Sequence, residues 1–376
     1  MNETGNPLRR LGQFGQSVWL DYIRRDLLAS AEFRRMIDED GLDGMTSNPT
    51  IFEKAIGGSN DYDDQLTELV RAGRGVDELY EALTTTDIKA AADKLRLVYD
   101  RSQARTGYVS YEVSPLLAHD TDGTIAAAHR YFTLIDRPNL MIKVPSTPAG
   151  IPAIEQLIGE GHCINVTLMF SVKHYESVAT AYLRGLERRA RAGGALERIA
   201  SVASVFVSRV EALVDKRLDD RGKRNPDEAV AALRGSAAVA NTKLIYQRFK
   251  ELFGDAGFKA LAARGARVQR PLWASTGTKD PTYSDIKYIQ ELIGPETVNT
   301  MPPATMDAYR DHGTPRATIE EHVAEARDAV RRLGAIGIDL DEVGEILQQE
   351  GVESFSKSFT DLIAVISKRR AAIVAG

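Results

Sequence analysis

The chain has 376 residues, enough for one large domain or two ordinary ones, and its 43% hydrophobic and 27% charged content suits a globular protein with a full core. A net charge of −5 with no basic stripe argues against a nucleic-acid partner. The single cysteine, Cys163, rules out an intrachain disulfide and a cysteine-based zinc site, and the six histidines are scattered without an H-x-x-x-H or similar ligand pair, so the sequence gives a metal site no support.

The opening stretch "MNETGNPLRRLGQFGQ" has no apolar core of the kind a signal peptide needs, and no apolar run approaches the ~20 residues of a membrane span. The expectation is a cytoplasmic protein with no membrane partner. Along the chain, short apolar or alternating runs predict strands at 17–23, 41–48, 108–115, 139–147, 163–170, 200–207, 270–276 and 296–303. Helical patterns separate nearly all of them. In "GIPAIEQLIGEG", Ile151, Ile154, Leu157 and Ile158 fall on one face, and Gly159 and Gly161 offer a stop. In "DPTYSDIKYIQELIG", Asp280 reads as a cap and Pro281 as a first-turn residue, predicting a helix from there. Strand–helix alternation with eight strands fits an α/β fold of the (β/α)₈ TIM-barrel type. No G-x-G-x-x-G follows any of the strands, which disfavours a doubly wound open sheet.

Two regions exceed a minimal barrel, a helix-rich stretch at about 176–258 and C-terminal helices from about 316 to 376. The whole chain, 1–376, reads as one TIM-barrel domain carrying these additions. In the last helix Phe355, Phe359, Leu362, Ile363 and Ile366 form an apolar stripe at helical spacing, read as ordinary packing against the barrel.

The fourth strand, "NLMIKVPST", raises a question. Leu140, Met141, Ile142 and Val144 are core residues, yet Lys143 sits among them, where an unpaired charge costs several kcal/mol. Side chains alternate between the two faces of a strand, and in a barrel one face points to the axis. With Lys143 axial, the same parity test on other strands puts Glu112 and Ser110 opposite Val109 and Tyr111, Asn165 and Thr167 opposite Ile164 and Val166, Ser204 opposite Val205, and Asp21 opposite Leu20, while Thr46 and Asn48 share one parity. Taken singly, a strand serine or threonine is more often a hydrogen-bonded core residue, and a lone lysine more often snorkels or pairs with an acid. Together, one lysine, two carboxylates and several hydroxyl and amide groups converge near the strands' C-terminal ends, where barrel enzymes place their chemistry. That set suits a lysine nucleophile attacking a carbonyl while carboxylates move protons.

The segments "DGMTSNPTIF", "IKVPSTPAGIPAIEQL", "GHCINVTLMFS" and "GVESFSKSFTDLI" resemble transaldolase, a Schiff-base aldolase-type barrel family, from about residue 15 to the tail, with long inserts like those of its larger bacterial form. The resemblance implies transfer of a dihydroxyacetone unit between sugar phosphates (sedoheptulose 7-phosphate or fructose 6-phosphate as donor, erythrose 4-phosphate or glyceraldehyde 3-phosphate as acceptor) in the non-oxidative pentose phosphate pathway, without a cofactor. It implies that Lys143 forms the Schiff base, that Glu112 and Thr167 hold a proton-shuttling water, and that Asp21 is the acid/base for carbon–carbon cleavage. Thr46, Asn48, Ser110 and Asn165 would hold the hydroxyls of the dihydroxyacetone unit. Ser204, Arg209 and Ser275 would bind the phosphate end. The family's common A-S-F-R after the seventh strand is replaced here by "ASTGTKD", so Lys279 is expected to stand in for the missing arginine. Two other readings stay open: a fructose 6-phosphate aldolase, whose chains are much shorter and usually have a tyrosine in the acid/base role, and a non-catalytic sugar-phosphate binder. The sequence sets no oligomeric state.

Overall fold

The computed structural model describes residues 5–224 and 227–375; the first residues of the N-terminal stretch and Asn225–Pro226 of the expected helix-rich region lie outside the described residues. Eight parallel strands close into a barrel in sequence order: β1 Gln16–Asp21, β2 Leu42–Thr46, β3 Tyr108–Glu112, β4 Leu140–Pro145, β5 Ile164–Met169, β6 Ser201–Phe206, β7 Gln269–Ala274 and β8 Thr297–Met301. Closure is made by β1 on β8, with Gln16 beside Thr297 and Leu20 beside Met301. All eight predicted strands are present, seven of them within two residues of their expected bounds, while β3, expected to reach 115, ends three residues earlier at Glu112. They are legible because both faces are buried, one by helices and one by the barrel interior, which selects β-branched and aromatic residues.

The interior is packed by residues of unequal size. Trp19 lies two residues before Asp21 and shares its axial parity; its partner across the β1–β2 pair is Gly44. A Cβ on Gly44 would come 2.2 Å from Cε2 of the indole, so only glycine leaves room for that ring.

One helix crosses from β3 to β4 (Thr121–Ile135), one from β4 to β5 (Gly150–Glu160) and one from β5 to β6 (Val172–Arg191). Each starts or stops on a local signal. Asp120 accepts from Gly123 N–H, Ser171 accepts from His174 N–H, and Gly161 ends the β4–β5 helix in the left-handed region at φ +98°. The region about 176–258 is divided by β6. Its first part is the ordinary β5–β6 helix, and its second is an enlarged crossover holding Ser208–Arg224, Glu228–Ala231, Ala237–Gly254 and Ala256–Ala262. The β2–β3 crossover is also enlarged, with Pro49–Gly57, Asp63–Arg71 and the 26-residue helix Val76–Arg101.

The helix expected from Asp280 is not there. Asp280 caps a turn instead, accepting from the Thr282 N–H and hydroxyl, and its other oxygen takes a bond from Arg234; the helix is confined to Lys287–Gln290. Competing side-chain acceptors of this kind hold the backbone in a turn that helical pattern alone does not reveal.

The tail forms two helices, Val323–Ala335 and the 36-residue Leu340–Ala375. The latter runs over the barrel mouth. The buried Gln348 amide donates to Ser146 Oγ (2.9 Å) and to the Leu168 carbonyl (3.1 Å) at the ends of β4 and β5. Leu168 sits in a bulge of β5 at φ +60°, and opposite it the helix carries Gly351, where a Cβ would lie 2.8 Å from Leu168 Cδ2. Farther along, Ser358 accepts from Thr50 (2.8 Å) and Phe359 packs edge-on against Tyr80 (5.2 Å). No helix among the described residues is long and apolar enough to cross a membrane.

The Trp19–Gly44 contact generates the first prediction. Gly44→Ala should destabilise the fold by about 1–3 kcal/mol through overpacking of a rigid ring. Equilibrium urea denaturation should show a lower midpoint at unchanged slope; an unchanged midpoint would contradict the packing described.

Candidate active site

The strand parity expected from the sequence is realised in register. Glu112 pairs with Lys143 across β3–β4, Lys143 with Asn165 across β4–β5, Asp21 with Thr46 across β1–β2, and Thr46 with Ser110 across β2–β3. Residues paired in this way point to the same side of the sheet, so one buried lysine and two carboxylates face a common axis near the C-terminal ends of the strands. A cavity of ≈ 280 Å³ opens there.

Of the twelve residues singled out in the sequence, nine line it: Asp21, Thr46, Asn48, Lys143, Thr167, Ser204, Arg209, Ser275 and Lys279. The other three lie one bond behind the wall. Glu112 reaches the cavity through Lys143. Asn165 is fully buried and spends its amide on neighbours, Nδ2 donating to Ser110 Oγ (2.9 Å) and Oδ1 accepting from Ser204 Oγ (2.7 Å). The Ser110–Asn165 pair thus braces Ser204 from behind.

Lys143 is 4% exposed. Its Nζ donates to Glu112 Oε2 at 3.0 Å and to the Ser47 carbonyl at 3.4 Å, and the Phe355 ring centroid lies 5.7 Å away. The pair answers how a charge is held in a core strand: each ion compensates the other. Burial pushes the Glu112 carboxyl up from the usual range, Lys143 opposes the shift, and the nearby Asp21 adds to it. Asp21 is likewise raised by burial, with Lys143, the Thr46 hydrogen bond and Lys279 pulling the other way. Thr46 Oγ1 donates to Asp21 Oδ1 at 2.7 Å and lies 2.7 Å from Thr300 Oγ1, so three strands hold that carboxylate in place. The Thr167 hydroxyl is buried without a hydrogen-bond partner, an exposed need on the cavity wall.

At the rim, the Arg209 guanidinium lies 5.4 Å from the Phe206 centroid and 6.0 Å from that of Phe355. Burial lowers its pKa and Glu350 opposes that shift. Ser275, just past β7, adopts φ +54° and places its Oγ 2.9 Å from Ser208 Oγ. Lys279 is exposed at the same rim. Neither Arg209 nor Lys279 forms an ion pair among the described residues. Asn48 caps the helix Pro49–Gly57, accepting from the Ile51 N–H through Oδ1, which leaves its Nδ2 for the cavity. Oxygens, hydroxyls and two unpaired cations around a buried amine are suited to a polyhydroxylated carbonyl compound with an anionic end.

Sequence reasoning missed Thr300, Thr50, Lys54 and Phe355 among the lining residues, whereas the parity of β6 puts Phe206 on the same face as Ser204. Thr300 was within reach, because β8 was found and the parity test applies to it. Phe355 was read as a packing residue of the C-terminal stripe; it is buried, but one of its faces forms the cavity wall beside Lys143. Nothing local to the tail distinguishes it from Leu362 or Ile366.

Residues 18–366 match the family described as Transaldolase/Fructose-6-phosphate aldolase. The chain is 47% identical over 366 residues to Transaldolase 1 of Streptomyces coelicolor, covering 97% of this chain and 95% of that one. It is 48% identical over 364 residues to the transaldolase of Acidothermus cellulolyticus, covering 96% of each, and 44% identical over 370 residues to that of Trichodesmium erythraeum, covering 97% of each.

The raised carboxyls carry a prediction on stability. A group whose pKa is higher in the folded state binds its proton more tightly there, so its contribution is favourable at low pH and is lost as pH rises through the folded value. Asp21→Asn should therefore unfold at a higher temperature than the parent at pH 7, with the gain shrinking as pH falls toward 4. A variant less stable than the parent at pH 7 would contradict the assigned desolvation.

Proposed function

The chain belongs to the Transaldolase/Fructose-6-phosphate aldolase family, and from that premise we propose how its own residues perform the chemistry. It is an enzyme of the transaldolase type, moving a dihydroxyacetone unit from a ketose phosphate to an aldose phosphate. The single observation that carries the residue-level reading is the buried Lys143 amine, 3.0 Å from Glu112 and open to the cavity.

In this reading Glu112 takes a proton from Lys143, and the freed amine attacks the substrate ketone. The carbinolamine loses its hydroxyl as water, with Glu112 returning the proton by way of a water held at the unpartnered Thr167 hydroxyl. The resulting iminium is an electron sink. Asp21 removes the proton from the hydroxyl on the far carbon of the scissile bond; that carbon becomes a carbonyl as the bond breaks, the electron pair moves into the iminium, and the first aldose leaves. The enamine that remains escapes premature protonation by water if the cavity stays closed, and the C-terminal helix with Phe355 supports that closure. The carbonyl carbon of the second aldose accepts the enamine carbon, Asp21 returns its proton to the new alkoxide, and hydrolysis of the imine restores Lys143. The Asn48 and Thr46 side chains fit the dihydroxyacetone hydroxyls. Arg209, Ser275 and Lys279 fit the phosphate, so the expected sugar-phosphate donors and acceptors suit this cavity, in a chain working as one unit from barrel to C-terminal helix.

Trapping tests the scheme. Incubation with fructose 6-phosphate and borohydride should reduce the imine onto Lys143, mapped by peptide mass, and Lys143→Arg should be inactive because arginine stays protonated. Glu112→Gln should slow trapping on the order of 10²–10⁴-fold, whereas Asp21→Asn should still be trapped yet fail to cleave. An adduct on another lysine, or loss of trapping in Asp21→Asn alone, would overturn the roles. Adding erythrose 4-phosphate should give sedoheptulose 7-phosphate; release of free dihydroxyacetone in its presence would favour the lyase of the family instead.

The rim generates a separate prediction. Lys279→Ala should raise KM for phosphorylated sugars about 10-fold, as expected for loss of a charged hydrogen bond, and leave unphosphorylated sugars nearly unaffected. Equal effects on both substrate kinds would show that Lys279 is no phosphate ligand.

A further inference from the structure

Two histidines that are distant in sequence meet on the outside of the barrel. His129 belongs to the helix Thr121–Ile135, and His162 follows the helix Gly150–Glu160 by two residues. Between them lies Glu160, whose Oε2 is 2.6 Å from His129 Nε2 and 3.9 Å from His162 Nε2. The ligand atoms of all three lie within 4.8 Å of one another. No pair of these residues falls at a ligand spacing within one helix, so the cluster is invisible in the sequence; the contact spans a strand, β4.

We propose that His129, Glu160 and His162 bind a divalent transition-metal ion of the zinc class. The donor set argues for that class: two imidazoles and one carboxylate suit zinc, cobalt or nickel, whereas magnesium and calcium take oxygen ligands. A tetrahedral ion with bonds of ~2.0–2.2 Å holds its ligand atoms roughly 3.4 Å apart. The two Nε2-to-carboxylate distances bracket that value, one shorter and one longer, so the carboxylate moves away from His129 and toward His162 to admit the ion. Three protein ligands leave the fourth position to water.

The surrounding residues hold the three donors in place. The second carboxylate oxygen of Glu160 accepts from Gln156 Nε2 at 2.9 Å. The His162 ring stacks on Phe132 at 4.2 Å and 13°, and Phe132 lies one helical turn after His129 on the same face. Gly161, at φ +98°, makes the left-handed turn that returns His162 to the side of Glu160. Arg189 is the opposing charge. Its guanidinium is directed to the Glu160 and Ala195 carbonyls, and its repulsion sets the affinity below that of an all-protein zinc site.

The cluster sits where the β4–β5 helix ends and β5 begins, at the opposite end of the strands from the cavity. The ion would therefore clamp the two helices that flank β4, the strand carrying Lys143, and take no part in the chemistry. The reading stands independently of the Schiff-base roles. The bland alternative is a hydrogen-bonded His129–Glu160 contact that joins the helices without metal.

The test uses the full chain without a polyhistidine tag, stripped with EDTA and titrated with zinc chloride alone in a calorimeter. One zinc per chain should bind, with affinity weakened at least ~10-fold in His129→Ala and in His162→Ala, both of which should keep the parent's circular dichroism. Cobalt(II) should give the intense visible absorption of a tetrahedral site in the parent and lose it in either variant. Sugar-phosphate turnover should be the same in EDTA, in zinc and in both variants. No zinc uptake, or equal uptake in parent and variants, would overturn the proposal, as would turnover that falls with EDTA and is restored by zinc in the parent but not in His129→Ala.

Discussion

The ion pair between Lys143 and Glu112 is the constraint on which the rest of the site depends. Both side chains are about nineteen-twentieths buried, and each without the other would leave a charge in the barrel interior. Replacing the pair with two apolar residues would satisfy the core equally well. Its retention makes chemical sense because the proton shared across 3.0 Å can move either way: on Lys143 it gives a buried salt bridge, and on Glu112 it gives a neutral acid beside a free amine. Burial raises the Glu112 carboxyl above its usual range, with Lys143 opposing the shift. The same environment raises Asp21, and the Asp21 charge adds to the rise at Glu112. Acid/base groups here are tuned mainly by desolvation, with the lysine limiting how far it goes.

Dryness is a property of the assembly around the axis. The barrel alone would leave its mouth open; the helix Leu340–Ala375 covers it, fixed at one end by Gln348 on the tips of β4 and β5 and farther along by Ser358 and Phe359 on the enlarged β2–β3 crossover. Phe355 falls between these two attachments and lies within reach of both Lys143 and Arg209. The enlarged crossover therefore has a structural reason: it provides the surface to which the covering helix is tied. The bulge at Leu168 and the small residue Gly351 opposite it let helix and strand approach closely enough for Gln348 to reach.

How much of this was legible follows from the range of each interaction. Strand identity and parity are local, and eight strands read from period-two patterns placed Asp21, Thr46, Lys143, Thr167 and Ser204 on one cavity wall. Roles that depend on what a side chain does with its second hydrogen-bonding group were not local. Asn165 and Ser110 have the right parity, but their bonds to each other and to Ser204, which set them behind the cavity wall, depend on three different strands. The helix expected at Asp280 failed for a similar reason: Arg234, far away in sequence, and Thr282 both claim that carboxylate and fix a turn. Phe355 and the His129–Glu160–His162 cluster are matters of tertiary contact alone. A helical stripe looks the same whether one of its faces meets a core or a cavity, and a histidine on one helix and another just past the end of the next look scattered until the helices pack.

The rim shows how one charge can serve binding and chemistry together. Lys279 is a mobile point charge where the family pattern has an arginine fork, so it gives up bidentate geometry. Its field, however, reaches Asp21 and stabilises the ionised carboxylate against the desolvation that raises it. A phosphate dianion paired with Lys279 would cancel most of that field at the moment the sugar is seated. Asp21 would then hold a proton more tightly, which is the direction a base needs when it takes the hydroxyl proton in carbon–carbon cleavage. An arginine held rigidly on the phosphate in the same loop would supply the binding charge as well. Under the proposed roles, a flexible lysine near the carboxylate would couple the two events, because the same ammonium group would be shared between the substrate's anionic end and the carboxylate proposed to break its bond.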